Sequence, residues 1–177
     1  MPTLLLLNGP PGVGKSTVAD ALVRSRPGWV AVSVDEVKHA LPTWPAEPIR
    51  SGLAARDTAA SRVAELLDRG QDVVVDQYLA RQDFVIVLER VARDADARFL
   101  EVVLTVDEAT VAQRLGRRRR RPTRAEQVEN DRFVNPGDAA ALLASLAARR
   151  AEPGVHRVDA SGPVAQTLRV LDALLAP

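Results

Sequence analysis

The chain has 177 residues, a formal net charge of +1 and no cysteine. This length fits one domain, spanning residues 1–177, with a substantial buried core. The near-neutral charge gives no global basic field for nucleic-acid or membrane binding, and a chain without cysteine has no disulfide, thiolate metal site or thiol nucleophile. The apolar runs are too short for a membrane span or a signal peptide, so we expect a cytoplasmic protein, monomeric or homodimeric, without membrane partners.

Short apolar runs alternate with longer helical stretches along the chain, a pattern typical of βα units around a parallel sheet. The predicted strands cover residues 3–8, 29–34, 72–76, 98–106 and 156–159. The predicted helices cover residues 15–25, 35–40, 49–68, 82–93, 107–115, 125–133, 138–150 and 164–175. Right-handed crossovers would bring the carboxyl ends of the strands to one edge of the sheet, where we expect the active site.

A glycine-rich segment follows the first predicted strand and carries the complete phosphate-loop pattern G-x-x-x-x-G-K-[ST]. Its residues are Gly9, Pro10, Pro11, Gly12, Val13, Gly14, Lys15, Ser16 and Thr17. Glycines let the backbone turn its N–H groups inward onto an anion, and the helix that starts near Lys15 adds its positive N-terminal end. Lys15 can reach the β- and γ-phosphates, and the Ser16 hydroxyl can ligate Mg²⁺. The segment therefore predicts binding of a nucleoside triphosphate, with ATP and Mg²⁺ as the expected cofactors.

An acidic residue, Asp35, stands at the end of the second predicted strand. From there a carboxylate can face the γ-phosphate and accept the proton of a substrate hydroxyl as its oxygen attacks. The alternative is a helix N-cap, because aspartate is favoured at the start of the helix that follows. Residues 41–48 contain three prolines and predict an irregular flap on the substrate side. His39, Trp44 and Arg50 lie near this flap, where substrate contact and simple packing are both open.

A second acidic residue, Asp76, ends the third predicted strand. At that position a carboxylate can hold Mg²⁺ through water or orient the substrate. A helix cap or a salt-bridge partner is the alternative. Gln77 and Tyr78 follow directly and could either donate hydrogen bonds to a substrate or lie in a surface loop.

A run of five arginines, residues 117–121, ends at Pro122 and predicts a loop over residues 116–122. We expect this loop to belong to a helical lid at about residues 114–135. Arg114 and Arg118 are one helical turn apart and would point the same way, so they are the candidates for stabilising the charge of a phosphoryl-transfer transition state. The alternative is a solvated face, or a basic patch for a polyanion such as nucleic acid.

The phosphate loop in its strand-to-helix context, together with the alternating elements, predicts an α/β fold. We expect a P-loop NTPase three-layer α/β/α sandwich with a mostly parallel five-stranded sheet and a helical lid. A turn at residues 135–137 separates two helices. Residues 159–162 open the last βα unit, where the backbone could pass under an adenine base.

The chain resembles the small P-loop kinases grouped with chloramphenicol phosphotransferase, zeta toxins and the kinase domain of phage polynucleotide kinase. The resemblance rests on residues 9–17, residues 32–35 with Leu41-Pro42, residues 73–76 and residues 114–118. It implies that Asp35 is the general base and that Arg118 contacts the transferred phosphate. It also implies ATP-dependent phosphorylation of a hydroxyl.

The leading hypothesis is a kinase that moves the γ-phosphate of Mg·ATP to a hydroxyl of a small molecule, such as an antibiotic or a metabolite. The second hypothesis is a polynucleotide 5′-hydroxyl kinase. The arginines favour it because they can bind a polyanion, whereas the very low aromatic content disfavours it because bases bind by stacking on aromatic rings. A third is a nucleotide-dependent switch ATPase without an acceptor. Such a switch would need an acidic Mg²⁺ site and a water-orienting residue but no substrate flap.

Overall fold

A computed structural model describes residues 1–176, apart from the side chains of residues 148 and 150. In this part of the chain, five parallel strands form one sheet in the order β2-β3-β1-β4-β5. The strands are β1 (Thr3–Asn8), β2 (Trp29–Ser33), β3 (Asp72–Asp76), β4 (Arg98–Thr105) and β5 (His156–Asp159). The predicted α/β fold with a five-stranded sheet is confirmed, and all of its strand pairs are parallel.

Helices cover both faces of the sheet. They are α1 (Lys15–Ser25), α2 (Val34–His39), α3 (Pro48–Asp68), α4 (Asp83–Asp94), α5 (Glu108–Arg120), α6 (Ala125–Asn130), α7 (Ala139–Ser145), α8 (Ala147–Ala151) and α9 (Val164–Leu174). A 3₁₀ turn at Pro136–Asp138 precedes α7. Helices α3 and α4 pack on one face of the sheet, and α1 and α9 pack on the other. Within residues 1–176, no helix combines the length and the apolar character that a membrane span requires.

The central strand shows why the sheet is covered on both faces. The four leucines of β1 are wholly buried. Leu4 and Leu6 pack with α3 and α4, whereas Leu5 and Leu7 pack with α1 and α9. Successive side chains of a strand point to opposite faces, so a strand with helices on both sides is apolar throughout.

The strand register brings three segments to one edge of the sheet. Leu7 in β1 lies beside Asp76 in β3, and Asp76 lies beside Ser33 in β2. The phosphate loop, the end of β3 and the start of α2 therefore follow the same edge, as the sequence predicts.

The structure differs from the sequence prediction at the end of β2. This strand ends at Ser33 and α2 begins at Val34, so Asp35 lies in the first turn of a helix and not at the end of a strand. Ser33 is the N-cap, and its side chain accepts a hydrogen bond from the N–H of Glu36. The alternative prediction that Asp35 caps this helix is therefore wrong.

The loop predicted over residues 116–122 is also wrong, because α5 continues through the arginine run to Arg120. Arginine is a good helix former, and the helix ends only at the approach of Pro122, which disfavours a helical residue before it. The single helix predicted over residues 138–150 is divided into α7 and α8, with the buried Leu146 between them. The flap, residues 41–48, is a series of turns up to the start of α3, and the irregular structure predicted from its prolines is confirmed.

Candidate active site

The phosphate loop joins β1 to α1 in a conformation that glycine makes possible. Gly9 has φ +147°, and a Cβ there would lie 2.9 Å from Val13 Cγ1 and 3.0 Å from the carbonyl oxygen of Leu104. Gly14 occupies the N-cap position of α1 with a left-handed φ of 110°. Because glycine has no side chain to cap the helix, the first N–H groups of α1 stay available to an anion.

Lys15 is held over this loop. Its Nζ donates hydrogen bonds to the carbonyl oxygens of Gly9, at 2.8 Å, and Pro10, at 3.1 Å. Burial lowers the pKa of Lys15 to about 8, and the negative charges of Asp76 and Asp35 oppose that effect. A buried ammonium group with a depressed pKa is stabilised when an anion binds beside it. The geometry thus suits a phosphate group as the partner of Lys15.

Ser16 and Asp76 lie in contact on the other side of the loop. The Ser16 hydroxyl donates a hydrogen bond to Asp76 Oδ2 at 2.5 Å. Burial raises the pKa of Asp76 to about 6, while the hydrogen bond from Ser16 and the charge of Lys15 act in the opposite direction. Mg²⁺ prefers hard oxygen donors, such as a hydroxyl and a carboxylate. The negative charge of the buried Asp76 carboxylate is only partly balanced by nearby positive charge, so this pair fits the metal of a bound nucleotide.

Asp35 lies in the first turn of α2, partly exposed beside this group. Its carboxylate accepts a hydrogen bond from Lys38 Nζ at 3.3 Å. Its charge contributes to raising the pKa of both Lys15 and Asp76, which places it within electrostatic reach of both. The structure thus brings the three predicted residues Lys15, Asp76 and Asp35 to one site.

A cleft of about 470 Å³ opens beside the phosphate loop. Its walls come from the loop, from the start of α9 and from the arginine segment, residues 114–135. The arginines that line it are Arg114, Arg117, Arg118, Arg121 and Arg124. Ala160, Gly162 and Thr167 line the far wall. The first two belong to residues 159–162, where the sequence predicts that the backbone passes under the base.

Arg114 forms hydrogen bonds to two sides of the cleft. Its guanidinium donates hydrogen bonds to the carbonyl oxygens of Val13 at 2.8 Å, Ala160 at 2.9 Å and Ser161 at 3.2 Å. A Cβ placed on Gly14 would lie 4.0 Å from Arg114 Nη1, so the positive charge sits close to the phosphate loop. Arg114 joins the loop to the β5-α9 connection and adds positive charge to the cleft.

Arg118 lines the same cleft, as its spacing from Arg114 predicts, but it has a different partner. Its Nε donates to Asp131 Oδ2 at 3.0 Å, and its Nη2 donates to the other oxygen of the same carboxylate. Asp131 is only 6% exposed. A two-point contact between a guanidinium and a buried carboxylate fixes the plane of the arginine.

Arg124 is a cleft residue that the sequence analysis missed. Its guanidinium bonds to Asp20 in α1 and to Glu36 in α2, the latter at 2.9 Å. These two bonds tie the arginine segment to the two helices that flank the phosphate loop. No local pattern distinguishes Arg124 from the other arginines, because its partners lie 104 and 88 residues away in the sequence.

The residues in and next to the flap contact one another. The rings of His39 and Trp44 lie 5.1 Å apart between centroids. Among the residues that the structure describes, His39 Nε2 and Trp44 Nε1 are buried without a hydrogen-bond partner. Arg50 is exposed and pairs with Glu47 at 3.1 Å within the flap region. Tyr78 shares a hydrogen bond of 2.7 Å with Ser145 in α7.

Comparison with known proteins gives one family and several similar folds. The family model described as "AAA domain" (AAA_33) matches residues 4–135, whereas no curated protein matches the chain. Solved structures with a similar fold include a candidate kinase from Chloroflexus aurantiacus, with a TM-score of 0.75 and 16% identity over 99% of both chains.

Two further structures are similar over nearly the whole chain. A gluconokinase from Sinorhizobium meliloti has a TM-score of 0.60 and 20% identity over 98% of this chain and 95% of its own. The tunicamycin resistance protein of Deinococcus radiodurans has a TM-score of 0.67 and 18% identity over 100% and 98%. At such low identities the likeness concerns the fold, whereas the family model covers most of this chain. The chain belongs to the AAA_33 family of P-loop kinases.

Proposed function

We propose that this protein is an ATP-dependent phosphotransferase that moves the γ-phosphate of Mg·ATP to a hydroxyl of a small molecule. The observation that carries the proposal is the position of Asp35. Its carboxylate lies within electrostatic reach of Lys15 and Asp76, and it is not used as a helix cap because Ser33 has that role. A switch ATPase needs the phosphate loop and the metal site but has no use for a second carboxylate within electrostatic reach of Lys15.

Nucleotide binding would use the loop and the cleft beside it. The N–H groups at the start of α1 and the ammonium of Lys15 would hold the β- and γ-phosphates. Ser16 and Asp76 would hold Mg²⁺, directly or through water, and the metal would neutralise charge on the same phosphates. The base and ribose would lie along the wall that contains Ala160 and Gly162.

In the transfer step, the oxygen of the acceptor hydroxyl forms a bond to the γ-phosphorus while the bond from that phosphorus to the β-γ bridging oxygen breaks. ADP leaves with the electron pair of the broken bond, and the hydroxyl proton passes to the Asp35 carboxylate. A positioned base contributes about 10²- to 10⁴-fold to such a step. Arg118 would contact the transferred phosphoryl group, and Arg114 would add positive charge at the loop.

The arginine segment would act as a lid over the nucleotide, within a single kinase domain of residues 1–177. It already contacts α1 and α2 through Arg124, so these contacts would hold it in place over the cleft. Enclosure by such a segment excludes water from the reacting phosphate.

A small-molecule acceptor has more support than a polynucleotide. Two of the similar folds are named as a gluconokinase and as a tunicamycin resistance protein, which suggests a hydroxylated metabolite or antibiotic. Trp44, the aromatic residue of the flap, has Lys38 Nζ 4.4 Å above its ring and His39 beside it. A ring covered in this way offers little surface for the stacking of bases.

The experiment that tests this function is a panel of acceptors. The protein with Mg·ATP is mixed with gluconate and other sugars, hydroxylated antibiotics including tunicamycin and chloramphenicol, nucleosides and 5′-hydroxyl oligonucleotides. ADP formation is then followed, and the acceptor mass is measured for the added phosphoryl group. Stimulation and phosphorylation of one small-molecule class support the proposal. Phosphorylated oligonucleotide alone would favour the polynucleotide kinase, and ADP formation that no acceptor stimulates would favour the switch ATPase.

A further inference from the structure

We propose that the consecutive residues Asn130 and Asp131, together with Lys38, are positioning residues that place the base Asp35 and the arginine Arg118 at the same time. Because this role presupposes that Asp35 is the base, it rests on the proposed function. Asn130 and Asp131 lie at the end of α6, on the arginine segment. One of them acts on the proposed base and the other on the proposed phosphate-contacting arginine.

The first branch runs from Asn130 to Asp35 through Lys38. Lys38 stands one helical turn after Asp35 in α2, and its Nζ lies 3.3 Å from Asp35 Oδ1. The same ammonium donates to Asn130 Oδ1 at 2.8 Å and lies 4.4 Å from the centre of the Trp44 ring. Three segments of the chain, α2, α6 and the flap, therefore fix the position of Lys38.

Lys38 in turn restricts Asp35. The side chain of Lys38 is only 16% exposed, whereas that of Asp35 is 42% exposed. A carboxylate with that exposure has free rotamers unless a fixed partner holds it, and a base must lie within about 3 Å of the proton that it accepts. Asn130 supplies an oxygen but no charge, so the positive charge of Lys38 remains directed at Asp35.

The second branch runs from Asp131 to Arg118. The buried carboxylate of Asp131 holds the guanidinium of Arg118 at two points, as described above. Since Asn130 and Asp131 are neighbours in the chain, any displacement of the end of α6 moves the supports of both Asp35 and Arg118. The base and the phosphate-contacting arginine are thereby positioned together when the arginine segment is in place.

The test measures Mg·ATP turnover with water as the nucleophile, which requires no identified acceptor. The single variants of the first branch are Lys38→Met, Lys38→Arg, Asn130→Ala and Asp35→Asn. Those of the second branch are Asp131→Asn and Arg118→Gln. Double variants combine either two changes from the same branch or one change from each branch. Val128→Ala, an exposed position of α6, is the matched control. Calorimetric binding of Mg·ADP shows that each variant is folded and binds nucleotide.

We expect Lys38→Met to lower kcat about tenfold with the KM for ATP nearly unchanged, and Lys38→Arg to restore most of the loss. Asn130→Ala lowers kcat by itself but has no further effect in the Lys38→Met protein, and Asp131→Asn has no further effect in the Arg118→Gln protein. When a double variant combines one change from each branch, the two fold-losses of kcat multiply. Residues that act through one another show this non-additivity, whereas independent residues do not.

Each contrary result has a distinct meaning. If Asp35→Asn lowers kcat and Lys38→Met does not, the positioning role is overturned and the proposed function stands. If neither lowers kcat, Asp35 does not act as the base for the attacking water, and the inference fails with that assignment. The link from α6 to the base is excluded by either of two results. One is that Lys38→Met raises KM with kcat unchanged, and the other is that the losses of kcat from Asn130→Ala and Lys38→Met multiply in the double variant.

Discussion

The hydroxyl of Ser16 and the carboxylate of Asp76 lie 2.5 Å apart and join the first turn of α1 to the end of β3. The strand register places Asp76 beside Leu7, the residue that precedes the last position of β1, so the acidic group follows the same edge of the sheet as the phosphate loop. The pair presents two oxygen donors in a buried position, and binding of Mg²⁺ there would supply the positive charge that Asp76 lacks.

The raised pKa of Asp76 gives the first prediction. Between about pH 4 and pH 6 the folded protein keeps a proton on Asp76 that the unfolded chain has released. The folded state thus binds more protons, and the free energy of unfolding decreases as the pH rises through this window. The difference between the ordinary pKa and about 6 corresponds to an upper limit of ~3 kcal/mol.

Asp76→Asn removes this titration, so without nucleotide the variant should be more stable than the native protein at pH 7. The variant should also lose the added stability that Mg·ATP confers on the native protein. Thermal unfolding at a series of pH values from 4 to 8, with and without Mg·ATP, measures both effects. Asp107 and Asp159 have lowered pKa values and titrate below this window. Lys15, whose pKa of about 8 depends on the charge of Asp76, titrates above it, so the comparison between pH 4 and pH 6 isolates Asp76. A variant that is less stable than the native protein throughout would exclude a burial cost at Asp76.

Arg118 gives the second prediction. Arg118→Gln removes the group that would stabilise charge on the transferred phosphoryl, so kcat should fall by about 10²- to 10³-fold. Affinity for Mg·ATP should change only a few-fold, since the loop and Lys15 hold the phosphates. Steady-state kinetics and calorimetry measure the two quantities. Arg120→Gln, in the same run but outside the cleft, is the control, and equal losses in both variants would show a general charge effect.

Arg114 gives the third prediction, which concerns structure more than chemistry. Arg114→Gln removes hydrogen bonds to three carbonyl oxygens, and the shorter amide reaches at most one of them. We expect a loss of about 1–3 kcal/mol in the free energy of unfolding and a weaker affinity for nucleotide. Urea denaturation measures the first effect. Unchanged stability would show that the β5-α9 connection does not depend on this arginine.

Two glycines give the fourth prediction, as a matched pair. Gly9→Ala puts a Cβ within 3 Å of two neighbours at a positive φ, so it should destabilise the protein by more than about 1 kcal/mol and weaken ATP binding. Gly52 lies inside α3, and a Cβ there meets no atom of the described residues within 4 Å. Gly52→Ala should therefore stabilise the protein by about 0.5–1 kcal/mol. Urea denaturation that gives both changes the same sign would contradict this distinction.

The elements with the clearest sequence signal are those that the sheet buries on both faces. The bounds of β1 and β3 coincide with the predicted ones, because a covered parallel strand is a short apolar run between turn residues. Those of β5 also coincide, although only Val158 of this edge strand is buried. The phosphate loop is equally distinct, since its glycines and Lys15 follow a fixed pattern. Charge alone does not distinguish an exposed helix from a loop, so the arginine run predicts a loop where α5 in fact continues to Arg120.

The contacts of the arginine segment could not be predicted in the same way. Arg124 meets Asp20, and Lys38 meets Asn130, across 104 and 92 residues of sequence. Such pairs depend on how the segment folds back over α1 and α2, and no local spacing encodes that path. Lys38 is one of only two lysines in the chain, but composition does not show its place between the flap and α6.

The most direct test of the proposed activity follows the γ-phosphate itself. ATP labelled at that phosphate is incubated with Mg²⁺ and the acceptor panel, and the label is counted on acceptors and as inorganic phosphate, for the native protein and for Asp35→Asn. A phosphotransferase with Asp35 as its base gives one labelled acceptor molecule for each ADP, and the variant loses this transfer while it still binds ATP. Label that appears only as inorganic phosphate, at the same rate in both proteins, would contradict the proposed function.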